Sequence, residues 1–104
     1  MKKKSNEQQL LTLTVDRKLT GEYVDECEAA FSDALQKFTG TACVLDMTHS
    51  PMIDSSGIGL CVGVYKECKK RSIAFHIEAT HDLIKFFKML KLDKVLELRE
   101  MGDQ

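Results

Sequence analysis

The sequence has a single proline, and neither charge is in surplus. Its 15 basic side chains nearly balance 16 acidic ones, for a net charge of −1 over 104 residues. A nucleic-acid binder shows a basic excess or a basic face, and the sequence offers neither, so no direct nucleic-acid contact is expected. Its longest apolar run falls well short of a membrane span, and no membrane association is expected. Met1-Lys2-Lys3-Lys4 has no apolar run behind it, which argues against a secretory signal. Residues 1–8 are expected to be flexible. The four cysteines, Cys27, Cys43, Cys61 and Cys68, contain no C-x-x-C pair, which argues against zinc and against thioredoxin-type redox chemistry. They fall at apolar positions of predicted elements and read as reduced, buried thiols of a cytoplasmic protein. His49, His76 and His81 show no metal spacing. No metal or cofactor is expected, and the sequence carries no mark of oligomeric state. A chain of 104 residues suffices for one domain, taken as 1–104, with a core of its own.

What is present is a regular alternation of two hydrophobic periods. Leu11 to Val15 alternates apolar residues with threonine, a strand signal. From Glu22 to Phe38, Val24, Cys27, Phe31, Ala34, Leu35 and Phe38 recur at helical spacing, with Gly40 as the expected C-terminal cap. Thr41 to Met47 reads as a strand, and the loop after it holds Pro51. Ser55 to Lys70 reads as a helix whose closing cations suit the negative end of its dipole. Ser72 to Ala79 alternates again. Thr80 is placed to cap a helix with Leu83, Phe86, Phe87 and Leu90 as its apolar face, and Val95 to Leu98 suggests an edge strand.

Strands alternating with helices predict an α/β fold with parallel neighbours. Thr12, Thr14 and Asp16, and again His76 and Glu78, give two strands a polar face. A sheet covered on both faces has nearly all-apolar strands, so the helices are expected mainly on one face.

The stretch that raises a functional question is Met52 to Gly59, MIDSSGIG. Asp54 or Ser55 can serve as N-cap of the following helix. Ser56 then falls in the first turn, close to the positive end of the dipole, where an attached phosphate would meet free N–H groups. Gly57 and Gly59 remove side chains beside it, which would let another protein's backbone approach. A capped strand-to-helix turn accounts for Asp-Ser-Ser-Gly equally well, and Gly59 and Gly63 could simply let the helix hug the sheet.

Other motifs fit poorly. Gly57, Gly59 and Gly63 follow a long loop rather than the tight turn of a dinucleotide site. The Gly-Lys-Ser/Thr of a P-loop is absent, and neither serine has the leading glycine of a nucleophile elbow. A triad of Ser56, His49 and Asp46 or Asp54 rests on sequence proximity alone. A phosphoacceptor receiver domain needs an acidic pair after its first strand, but Arg17 follows Asp16.

The run from Val44 to Arg71 resembles the STAS domain, in particular the stand-alone bacterial anti-sigma factor antagonists. Ile53-Asp54-Ser55-Ser56-Gly57-Ile58-Gly59 matches the family's central motif, and Leu19-Thr20-Gly21-Glu22 its upstream element. The chain departs from the pattern at Tyr23-Val24, which displaces an acid to Asp25. It departs again at Lys70-Arg71-Ser72, which stands where a glycine-rich turn is common. The resemblance implies a mixed, largely parallel sheet of about four strands and a switch rather than an enzyme. Its partners would be an anti-sigma factor with a serine kinase fold, which phosphorylates Ser56, and a PP2C-type phosphatase. The partner-binding residues would be Asp54, Ser55, Ser56, Gly57, Ile58 and Gly59. A STAS subunit of a transporter or lipid-trafficking complex, with no phosphate cycle, is the alternative. Phe86 and Phe87 are assigned to the core.

Overall fold

A computed structural model describes residues 10–102 of the chain; the expected flexible segment 1–8 lies outside them. The elements are β1 (Leu10–Thr14), α1 (Gly21–Lys37), β2 (Ala42–Met47), α2 (Ser55–Lys70), β3 (Ala74–Ala79), α3 (His81–Met89) and β4 (Leu98–Glu100). A 3-10 turn, Leu92–Lys94, joins α3 to β4.

The four strands lie in the order β1-β2-β3-β4, and every pairing is parallel. The expected mixed sheet is thus wholly parallel among the described residues. An order that steps one way, with right-handed crossovers, puts every helix on the same face. The register shows the result. Leu13, Leu45, Ile77 and Leu98 form one row across the sheet and join the hydrophobic core. Val24, Phe31 and Leu35 of α1, Leu60 and Val64 of α2, and Leu83, Ile84 and Phe87 of α3 close over that row. The adjacent rows hold Thr12, Val44 and His76, then Thr14, Asp46, Glu78 and Arg99. There His76 Nε2 lies 3.0 Å from Glu78 Oε2. One face is therefore apolar and covered, and the other is polar, as the alternation predicts.

Three expectations need correction. Gly40 does not cap α1: the helix ends at Lys37, and Phe38, in an extended conformation, is its C-cap. The Arg71 guanidinium donates to Leu35 O, which also accepts from Phe38 N at 3.2 Å, and, at 2.7 Å, to Phe38 O. A side chain from the end of α2 thereby caps α1, a pairing that sequence spacing cannot show. On α3, Ile84 is buried, whereas Leu90 is 47% exposed. Phe87 is fully buried and Phe86 packs half-buried against the core. The last strand begins at Leu98 rather than Val95, because the amides of Val95 and Leu96 bond back to Leu92 O at 3.0 and 2.8 Å and close the 3-10 turn.

All four cysteines are free and buried. Burial pushes the Cys61 thiol up to about 12, so it stays protonated at neutral pH. Ser72 holds a positive φ of 60° in the turn between α2 and β3, the conformation a glycine would supply there.

Because Arg71 satisfies two carbonyls with a charged donor, Arg71→Ala is expected to lower stability by about 1–2 kcal/mol. Urea unfolding is the check, and amide exchange in the last turn of α1 should accelerate more than exchange in β2.

Candidate functional site

β2 delivers the chain to the C-terminal edge of the sheet, where the loop from Thr48 to Asp54 must turn back to start α2. Asp46 Oδ1 begins that turn by accepting from the Thr48 amide at 3.0 Å and the Thr48 hydroxyl at 2.7 Å. Ser50, only 1% exposed, donates through Oγ to Arg17 O at 2.8 Å, with Met52 O a further acceptor at 3.3 Å. It ties the loop to the segment that follows β1. That segment continues the tie with its backbone: Leu19 N donates to Met52 O at 2.9 Å, and Asp54 N donates to Leu19 O at 3.4 Å. Leu19 and Ile53 thus form a short parallel bridge, both buried. The two stretches that resembled the family pattern, Leu19 to Glu22 and Ile53 to Gly59, meet in space.

Gly57 lets them meet. A Cβ at this position would lie 2.5 Å from Leu19 O and 2.6 Å from Ile53 Cγ1. Its missing side chain therefore serves the packing of α2 against the β1–α1 loop rather than a partner's approach. Gly59 and Gly63 behave in the opposite way. A Cβ on either meets nothing within 4 Å, so neither glycine lets the helix hug the sheet.

Asp54 is the N-cap of α2. Its Oδ1 accepts from Gly57 N at 2.9 Å and from the Ser56 hydroxyl at 2.7 Å. Those two donors, the hydroxyl first, hold the Asp54 carboxyl below its ordinary pKa. Ser55 and Ser56 are exposed and Ile58 is half-buried against the core. The Ser56 hydroxyl is thus displayed at the first turn of a 16-residue helix, with a carboxylate rather than an imidazole as its partner.

Ser56 also lines the end of a groove of about 490 Å³ between α1 and α2. Val24, Leu60 and Val64 contribute its apolar side, and Asp25, Glu28 and Glu67 its charged side. Gly59 and Gly63 face into it, which accounts for the open space above them. Asp25, displaced by one residue from the family pattern, still reaches the same cavity as Ser56. Its neighbour Tyr23 turns the other way. Its hydroxyl donates to Asp16 Oδ1 at 3.0 Å, and Arg17 stacks 4.6 Å from its ring centroid. The Tyr23 hydroxyl, followed by Arg17, lowers the Asp16 pKa, and the trio fixes the start of the β1–α1 loop.

Sequence reading found Asp54, Ser55 and Ser56 but missed Ser50, Glu28 and Glu67. Ser50 lies 33 residues from the carbonyl it engages, and no local pattern marks that contact. The two glutamates sit on separate helices, Glu28 about two turns into α1 and Glu67 more than about three turns into α2, and only the turn pattern of each helix could have hinted at a shared wall.

The chain belongs to the STAS domain family, whose model matches residues 2–101. No curated protein sequence matches it. Among solved structures, the fold is similar to the crystal structure of a sulfate transporter family protein from Wolinella succinogenes. The TM-score is 0.72 at 13% sequence identity, with 88% of this chain and 78% of that chain covered. Among the described residues, no helix is long and apolar enough to cross a membrane.

The glycines yield opposite expectations. Gly57→Ala forces a Cβ against a backbone carbonyl and is expected to cost about 1–3 kcal/mol. Gly59→Ala, with free space and a helical backbone, is expected to gain about 0.5–1 kcal/mol. Thermal unfolding of the two variants tests the pair. The depressed Asp54 pKa contributes stability that is present above the ordinary carboxylate range and disappears as pH falls through the folded-state value. The stability difference between wild type and Asp54→Asn should therefore shrink as an acid titration passes below that range; a constant difference would show that the carboxylate's charge is irrelevant to the cap.

Proposed function

We propose that the protein is an anti-sigma factor antagonist, a cytoplasmic binding module with no catalysis of its own, whose α2 N-terminus docks on a cognate anti-sigma factor. The docking surface consists of Asp54, Ser55, Ser56, Ile58 and Gly59, with the Gly57 backbone holding them in place. The anti-sigma factor, acting as a serine kinase, phosphorylates Ser56 and releases the complex. A PP2C-type phosphatase restores binding. The observation that supports this reading is the exposed Ser56 hydroxyl, set at the positive end of a long helix dipole yet uninvolved in the core.

The consequence of the modification follows from elementary electrostatics. A phosphate brings about −1.5 to −2 charges at neutral pH. Once esterified, Ser56 Oγ has no proton to donate, so its bond to Asp54 is lost. The Asp54 carboxylate repels the dianion and turns it outward, while the bond from Gly57 N keeps the helix capped. The free N–H groups of the first turn favour the charge. The fold therefore survives, whereas a partner packed on Ser56 must desolvate an ion at an effective cost of several kcal/mol. At about 1.4 kcal/mol per tenfold, that weakens binding by orders of magnitude.

A STAS subunit serving a transporter is a second reading. The sulfate transporter family structure is the observation in its favour, but at that identity the likeness bears on the fold alone. Site mapping of phosphate on protein isolated from its host separates the two readings, because only the switch requires modified Ser56.

Ser56→Ala is expected to stay within about 0.5 kcal/mol of wild-type stability, to bind the anti-sigma factor and to resist phosphorylation. Ser56→Asp should weaken binding by about tenfold or more, since each tenfold needs only ~1.4 kcal/mol. Calorimetric titration of the purified pair measures both. Equal affinities for wild type and Ser56→Asp would rule out an interface at this helix end.

A further inference from the structure

The parallel sheet orients the whole molecule. Each helix starts near the C-terminal ends of the strands and returns to their N-terminal ends. All helix C-termini therefore gather at one pole, and Ser56, at the start of α2, lies at the other. That first pole is basic. The last turn holds Lys37 in α1, Lys69 and Lys70 in α2, and Lys88 in α3. The turn after α3 adds Lys91 and Lys94 with one acid, Asp93, between them, and all these lysines are exposed.

Two of the charges are partly answered inside the protein. Lys37 Nζ is 3.2 Å from Asp33, and Lys70 Nζ is 3.6 Å from Glu67. Lys88, Lys91 and Lys94 have no ion pair among the described residues. Apolar side chains emerge beside these three: Met89 is 75% exposed, Leu90 47% and Val95 48%. They make up half of the large exposed hydrophobics among the described residues, the others being Leu10, Met52 and Met101. Exposed apolar groups concentrated at one place mark an interaction surface.

We propose that this lysine-ringed apolar tip docks on an anionic phospholipid surface and leaves the Ser56 pole facing away from it. The charge selects a negative partner, and the emergent Met89, Leu90 and Val95 select one with an apolar layer beneath the charge. Lysine, a compact charge on a flexible stem, suits fluid headgroups; a partner with fixed carboxylates or phosphates favours the rigid fork of arginine. The net charge of −1 hid this surface because acids at the helix starts offset cations at the helix ends. The expectation of no membrane contact rested on the lack of a span-length apolar run, a criterion for crossing a bilayer and not for docking on its surface. The inference goes beyond the phosphate switch and does not depend on it.

The test is co-sedimentation of the full chain with phosphatidylcholine vesicles, with and without phosphatidylglycerol. Binding is expected only to the anionic vesicles and should fall steeply as salt shortens the screening length. Lys88→Glu with Lys94→Glu should lower partitioning by about tenfold or more. Met89→Ser with Leu90→Ser, which leaves every charge in place, should lower it by about threefold or more. Circular dichroism verifies that each variant is folded, and the two pairs act by different physics, so one serves if the other fails to fold. Replacing Lys2, Lys3 and Lys4 by Gln should leave partitioning within about twofold, as expected if those residues are not the anchor. No binding to anionic vesicles, or binding abolished only by the Lys2–Lys4 replacement, overturns the proposal. So does equal binding to double-stranded DNA that is indifferent to the Met89 and Leu90 changes, which would mark a polyanion site instead.

Discussion

The site depends on one close approach. The Leu19 carbonyl and the Ile53 side chain occupy the space where any side chain at residue 57 would begin. With a hydrogen there, the β1–α1 loop lies across the start of α2, and Leu19 bridges Ile53. That bridge fixes Asp54, Asp54 caps the helix, and the cap holds Ser56 at the surface. Remove the approach and the chain still has strands and helices, but nothing aligns the loop with the helix dipole. A packing constraint and a chemical display are here one arrangement.

The cap contains a division of labour that bears on switching. Asp54 Oδ1 receives both a side-chain proton and a backbone proton. The first belongs to the group that the proposed chemistry would modify, and the second does not. Losing one leaves the other, so helix initiation and modification state are largely decoupled. A design in which the modified serine were itself the N-cap would unravel the first turn each time it was esterified. Placing the acceptor two residues earlier avoids that outcome.

Much of this was legible from residue order because the fold is built from local rules. The alternation of threonine with leucine in β1, and of His76 and Glu78 with Ile77 in β3, announced a sheet with one covered face. The helical spacing of α1 was equally plain, and the cap of α2 was narrowed to Asp54 or Ser55, of which Asp54 holds it, since both features depend on neighbours within a turn or two. The errors lie where distant segments decide. Arg71 replaced Gly40 as the end of α1 by reaching 33 residues back. Gly57 looked like a door for a partner until Leu19 was found behind it. The poles were invisible to a summed charge because charge adds along a chain regardless of place, whereas a field depends on where each group sits.

The strand order has a consequence for how such a chain matures. Among the described residues, each strand pairs only with those next to it in sequence, and each helix covers the pair it connects. Assembly can then proceed vectorially, one unit docking on the last as it leaves the ribosome, with no early strand held open for a late partner. The motif-bearing helix would be seated before β4 exists, so a nascent chain can present its serine while still tethered to its own synthesis.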